Sequence, residues 1–476
     1  MKWRKAAIAV GLTGAMAASL TACGDSGNSS GTSKSESVST STGEQKEEKE
    51  LAYSNIELGK DYTDLKADIK LLTNRTDMLD SDYAGKNWDA YLEEFNKTYP
   101  DIKVNIEGIT DYAEDSLLRL QGGDWGDIMM IPEVDKSDLS TYFLSYGNLD
   151  AVSEEVKYPT RWLYDGQVYG IPCTVVGRGV VYNKKVFEAA GIAETPKTPE
   201  EFITALKAIA EKTDAIPLYT NYAAGWTMGA WDDYIGITAT GDAAYKNQLL
   251  PHAKDPFADP GDGTHAYNVY KLLFDAVSEG LIEDDYTTTD WEGSKGMLNN
   301  GEIGCMVLGS WAYPQMQQAG DHAEDVGYMS FPITIGGKQY SPADSDYCFG
   351  INVDADADHQ AAAMVFVKWM TEESGYSYNE GGLPLAVGDE EYPEVYDDFI
   401  ANKVEFIADD AAVEGEEDLL NALNADSELM VGAGGNDKIQ ELIEHAANKD
   451  MSFDEIMNEW NQKWSDAQET NSVEVK

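Results

Sequence analysis

A tryptophan ring and a charged or amide side chain a few residues apart are two halves of a site for a polyhydroxylated ligand. The flat ring covers an apolar C–H face, while the polar groups hold hydroxyls that both donate and accept. The sequence repeatedly places such residues just after short apolar runs. Asn74, Arg75 and Asp77 follow Ile69–Thr73, and Pro132 and Glu133 follow Asp127–Ile131. Asn221, Tyr222, Trp226, Trp231, Asp232 and Asp233 follow Ile216–Thr220, and Ser310, Trp311 and Tyr313 follow Ile303–Leu308. A carbohydrate is the ligand class that this mixture fits. Trp226, Trp231 and Trp311 are the candidate stacking platforms; Asn74, Arg75, Asp77 and Asp232 are the candidate hydroxyl clamps. Three platforms point to an oligosaccharide, one ring serving one sugar residue. The competing reading makes each tryptophan a core residue and Arg75 with Asp77 a surface ion pair.

Strings that signal other chemistry are missing. The chain has no G-x-S-x-G, no H-E-x-x-H and no G-x-x-x-x-G-K-[ST]. His252, His265, His322, His359 and His445 share no metal-ligand spacing. Asp354–Asp358 opens like a calcium loop, but His359 replaces the glycine and Val365 the closing glutamate. No catalytic residue, cofactor or metal is therefore assigned. A carboxylate pair for glycosidic cleavage cannot be singled out among 86 Asp and Glu. A surface glycoside hydrolase thus stands as the enzymatic alternative, beside an adhesion lipoprotein and a receptor for a non-sugar solute such as a polyamine.

The elements that would position these residues alternate between strand and helix. Ile69–Thr73 and Asp127–Ile131 read as buried strands, and Ile102, Val104 and Ile106 alternate as a half-buried one. Trp88, Tyr91, Leu92, Phe95 and Tyr99 carry helical spacing up to Pro100. Asp111 is the expected cap of a helix running to Gln121, and Thr198-Pro199-Glu200-Glu201 opens another with a capping box. Further helices are expected around Tyr267–Val277, 361–373, 437–448 and 453–467. Such alternation implies an α/β fold, and 476 residues are enough for two lobes. In open α/β sheets ligands sit beyond the carboxyl ends of the strands, which is where the polar and aromatic residues fall.

Composition narrows the setting. Lys and Arg total 34 against 86 Asp and Glu, a net charge of −52. Such a surface repels phosphate backbones, so no nucleic-acid partner is expected. Lys2, Arg4 and Lys5 precede an apolar stretch from Ala6 to Leu20, which ends in Leu20-Thr21-Ala22-Cys23. This resembles a bacterial lipobox: residues 1–22 as a signal peptide, with Cys23 as the lipidated residue. Residues 23–50 are Ser-, Gly-, Glu- and Lys-rich and read as a disordered tether. Gly24-Asp25-Ser26-Gly27 within it is like a serine-protease string, but no fold surrounds it. The expected location is the outer face of a Gram-positive-type membrane, with membrane contact through the lipid anchor only. Cys173, Cys305 and Cys348 are expected as buried thiols, with one pairing among them left open.

Several segments resemble the extracellular solute-binding proteins of family 1, the maltose-binding-protein-like receptors of carbohydrate ABC importers. They are Tyr169–Pro172 with Gly179–Phe187, Thr198–Glu201, Gly309–Trp311, Leu72–Asp77, Gly126–Pro132, Asp346–Ile351 and Gly375–Gly382. The resemblance covers most of residues 66–470; Cys173 departs from the aliphatic residue or alanine usual there. It implies a two-lobed, periplasmic-binding-protein-like fold with a hinge and an inter-lobe ligand cleft. The first lobe is expected at 51–175 with 326–385, and the second at 176–325 with 386–476. The resemblance also implies capture of a sugar by lobe closure, delivery to permease subunits, no enzymatic step and a monomer. The site residues it implies are Asn74, Arg75, Asp77, Trp226, Asp232, Trp311, Asp346 and Glu380, with Asp124 and Trp231 as additions.

Overall fold

The computed structural model describes residues 51–476 except 84, 111, 433 and 434. The leader, Cys23, the tether and the Asp111 cap lie outside the described residues.

Strands β1 (Ala67–Thr73), β2 (Ile102–Gly108) and β3 (Ile128–Met130) run parallel, with β1 between the other two. Strands β4 (Gly147–Asn148), β5 (Leu163–Tyr164) and β6 (Gln167–Val168) form a small separate sheet. Strand β7 (Ile171–Pro172) then joins the first sheet at its far edge. The next strand, β8 (Val175–Asn183), is the spine of a second sheet. One of its edges pairs antiparallel with β10 (Ile303–Gly309), which pairs parallel with β9 (Ile216–Leu218). Its other edge takes β11 (Val326–Ser330) and then β12 (Tyr340–Ser345). Strand β13 (Cys348–Ile351) returns to the first sheet between β3 and β7, and β14 (Glu405–Ile407) extends the second beside β12.

The expected α/β alternation is present, and each sheet has its own core. Ile69, Leu71, Ile128 and Phe349 pack with Trp88, Phe95 and Trp369 in the first lobe. Phe202, Tyr270, Met329, Trp460 and Trp464 pack together in the second. Helix ends follow their sequence signals. Thr198 accepts the Glu201 N–H, although Glu201 returns its side chain to Lys197 rather than to the cap residue. Asp356 accepts the His359 N–H, so the calcium-like string is a helix start.

The chain crosses between lobes three times. The first crossing is at 173–174, between β7 and β8, and the second at 346–347, between β12 and β13. These two are bonded to each other: Asp346 N–H to Thr174 O at 3.1 Å, and Cys173 N–H to Tyr347 O at 2.8 Å. The third falls between Tyr376, in the first core, and Leu383, whose N–H donates to Val175 O at 2.6 Å. The second crossing corrects the expected boundary at about 326, because β11 and β12 both pair with β8 before the chain leaves the second sheet. Cys173, Cys305 and Cys348 are buried and unpaired.

Candidate ligand-binding cleft

Strands β9 and β10 are parallel, so the residues after Leu218 and Gly309 emerge at one edge of the second sheet. Trp226 opens a short helix, Trp226–Gly229, and Trp311 stands at the start of helix Ala312–Gln318. Trp291 is the first residue of helix Trp291–Asn299, which runs back toward the start of β10. The three rings meet. Centroids of Trp226 and Trp291 are 5.1 Å apart, those of Trp226 and Trp311 5.6 Å, and those of Trp291 and Trp311 5.7 Å. Trp226 leaves 44% of its surface open to solvent. Glu283, buried beneath this wall, accepts the Thr220 N–H and fixes the turn out of β9.

The opposite wall belongs to the first lobe. Arg75 grips Asp77 with Nε at 2.9 Å and Nη2 at 2.8 Å, and pairs through Nη1 with Glu380 Oε2 at 2.6 Å. The Arg75 fork, against the effect of partial burial, holds the Asp77 carboxyl below its ordinary value. Tyr83 lies between, its hydroxyl within hydrogen-bond distance of Arg75 and Glu380. The walls converge where Tyr396 bridges Ser310 Oγ at 2.7 Å and the Gly381 carbonyl at 3.1 Å.

Between the walls lies a charged floor. Arg178, on β8, pairs with Asp233 and with Asp344 of β12, each at 3.1 Å, and its side chain is only 11% exposed. A Cβ at Gly309 would stand 2.6 Å from Trp311 Nε1 and 3.1 Å from Arg178 Nη1, so only glycine lets the indole and guanidinium close over the strand. Arg161 reaches in from the first lobe to the Ser345 carbonyl and to Glu133. Burial raises the Asp233 carboxyl even though Arg178 pulls it down. For Asp344 the same burial is outweighed by Arg178, Arg161 and Lys246, which leave it lowered. Burial also pushes Asp409 up to about 6, and it raises Asp346 on the hinge crossing, where Arg178, Arg161 and Arg75 oppose the rise. Two polar atoms here, Asn74 Oδ1 and Arg178 Nε, are buried without a hydrogen-bond partner among the described residues. One accepts and one donates, which is what a hydroxyl can match.

Seven of the ten candidate residues thus gather at one cleft: Asn74, Arg75, Asp77 and Glu380 on one side, Trp226 and Trp311 on the other, Asp346 at the hinge. Three do not. Asp124 is exposed in the loop that enters β3, at the end of the first sheet opposite the cleft. Trp231 is buried against Phe331 in the second core. Asp232 has no exposed side-chain surface and is used up by Lys438, the Tyr270 hydroxyl and the Gly432 N–H. Its neighbour Asp233 faces Arg178 instead. Trp291, Arg178, Asp344 and Arg161 had no strand-end signal, although an arginine inside the apolar run Val175–Asn183 was a visible anomaly. Trp311→Ala is expected to weaken sugar binding by about 1–3 kcal/mol, as for other flat-ring stacking contacts, with a folded far-UV spectrum. Calorimetric titration of the variant checks this, and unchanged affinity would remove Trp311 from the site.

The profile of the bacterial extracellular solute-binding proteins matches residues 80–376. A solved manno-oligosaccharide-specific solute-binding protein of Bifidobacterium animalis subsp. lactis, in complex with mannotriose, is 54% identical. The match covers 88% of this chain and 99% of that one, with a TM-score of 0.85. A second, the binding protein of an ABC transporter from the same organism in complex with mannobiose, is 53% identical over the same shares, with a TM-score of 0.85. The multiple sugar-binding protein of Streptococcus mutans is 26% identical over 320 residues, 63% of this chain and 73% of its own length.

Proposed function

We propose, because this chain belongs to the bacterial extracellular solute-binding protein family, that it captures manno-oligosaccharides in the cleft and delivers them to the permease of an ABC importer. It is a binding protein rather than an enzyme, and the chemistry asked of the cleft is recognition alone. The observation that carries the reading is the tryptophan triad on the second lobe and the Arg75–Asp77–Glu380 set on the first, with Ser310 and Gly381 beside them joined by Tyr396. The likeness to the mannotriose-bound protein supports mannosides as the sugar. Indole faces cover the C–H faces of successive mannosyl residues, and the carboxylates and guanidinium of the opposite wall hold their hydroxyls.

Capture proceeds by population shift. Ligand seated on one wall gains its remaining hydrogen bonds only when the other wall arrives, so its greater affinity for the closed arrangement drives closure. Exclusion of water then strengthens the charge-assisted hydrogen bonds. Lipidation at Cys23, with 24–50 as the tether, holds the monomeric receptor near the permease on the outer membrane face. The test is calorimetric titration of residues 51–476 with mannobiose, mannotriose, maltotriose, raffinose and spermidine. Saturable binding of the two mannosides, with no hydrolysis product after prolonged incubation, is the expected result. Binding of another sugar or of spermidine alone would overturn the choice of ligand.

A further inference from the structure

Helix Asp437–Asn448 lies behind the segment that carries Trp226 and Asp233, and it reaches that segment on both sides of Trp226. Before the tryptophan, Gln440 Nε2 donates to the Tyr222 carbonyl at 3.2 Å, and Glu444 accepts from the Tyr222 hydroxyl. After it, Asn436 Oδ1 accepts the Gly229 N–H at 3.2 Å, at the last residue of helix Trp226–Gly229. Farther on, Lys438 holds Asp232. Gly225, immediately before the tryptophan, adopts φ +70, and a Cβ there would stand 3.6 Å from Asn436 Nδ2.

A helix of four residues has no stability of its own. Its direction, and that of the half-exposed ring at its start, is set by what it leans on. Trp291 and Trp311 give the Trp226 ring two lateral neighbours, and the polar contacts to Asn436 and Gln440 fix the backbone under it. We propose that Asn436 and Gln440 are positioning residues for ligand recognition, which set the angle at which Trp226 meets the sugar from a helix near the end of the chain. The inference rests on the reading of the triad as a sugar platform.

The experiment is a double-mutant cycle with mannotriose as the probe, combined with near-ultraviolet circular dichroism of the unliganded protein. The Asn436→Ala/Gln440→Ala variant is expected to bind mannotriose about tenfold more weakly in the wild-type background and less than about twofold more weakly in a Trp226→Ala background. Asn436→Asp, which keeps an acceptor for the Gly229 N–H, should bind within about twofold of wild type. The tryptophan bands of the double variant should differ from wild type, and this difference should vanish when Trp226 is absent. An equal loss in both backgrounds would mean general destabilisation and overturn the proposal, as would unchanged tryptophan bands. If Trp226→Ala alone keeps full affinity, the platform reading has failed, and the dichroism still decides whether the helix positions the ring.

Discussion

Arg178→Met is expected to abolish mannotriose binding within the range of calorimetry and to lower stability by about 3–5 kcal/mol, the cost of breaking a buried ion pair from one side. Arg178 is the only cation within ion-pair distance of Asp233 among the described residues, and it also holds Asp344. Methionine fills a similar volume but leaves two carboxylates facing each other at the root of the cleft. The pH dependence has a definite sign. Burial and the neighbouring Asp344 charge already raise Asp233; loss of the guanidinium raises it further and removes the largest pull that keeps Asp344 lowered. A carboxyl raised above its unfolded value near 3.9 destabilises the fold when ionised. The deficit is therefore full at pH 7 and shrinks as pH falls through the raised values toward 4. Urea denaturation at pH 7 and pH 5 reads this directly. A variant that loses less than about 1 kcal/mol, or whose deficit grows on acidification, would show that Arg178 is not the counter-charge of this floor.

Lys438→Met should be comparably costly, about 3–5 kcal/mol, yet for a different purpose. Lys438 and Asp232 are 4% and 0% exposed, and they tie helix Asp437–Asn448 to the second core away from the cleft surface. Burial lowers the Lys438 ammonium against the pull of Asp232, so the pair is retained at a desolvation cost. Without the lysine, Asp232 keeps the Tyr270 hydroxyl and the Gly432 N–H among the described residues. The double variant Lys438→Met/Asp232→Asn removes both charges and should recover more than half of the loss. Recovery of nothing, measured by urea melts, would place the cost in packing against Tyr270 and Trp460 rather than in the stranded carboxylate.

Strand-end reasoning pointed to Asn74, Arg75, Trp226 and Trp311, which stand beyond the carboxyl ends of β1, β9 and β10 because parallel strands deliver their following residues to one edge. It failed on Trp231 and Asp232 because Ala230–Tyr234 is a tight helical turn. Successive side chains there point in different directions, so one step in sequence separates core from cleft. Trp291 was missed because it precedes a strand, at the start of the helix leading into it. Arg178 was missed because β8 is buried along most of its length and reads as core. Gly177 and Gly179 on either side of it were the available clue. The lobe boundary at 326 failed for a topological reason: two strands share one edge of β8, which hydrophobic pattern does not reveal.

The three crossings bear on how the protein is made. The first sheet receives β13, its link between β3 and β7, only after most of the second sheet's strands have been synthesised. The second core receives Trp460 and Trp464 only with the final helix, Phe453–Thr470. During vectorial synthesis the first core stays open until the segment up to Tyr376 has been made, and the second waits for helix Phe453–Thr470. The interleaving that aligns the cleft thus makes completion of the first lobe wait on prior synthesis of most of the second.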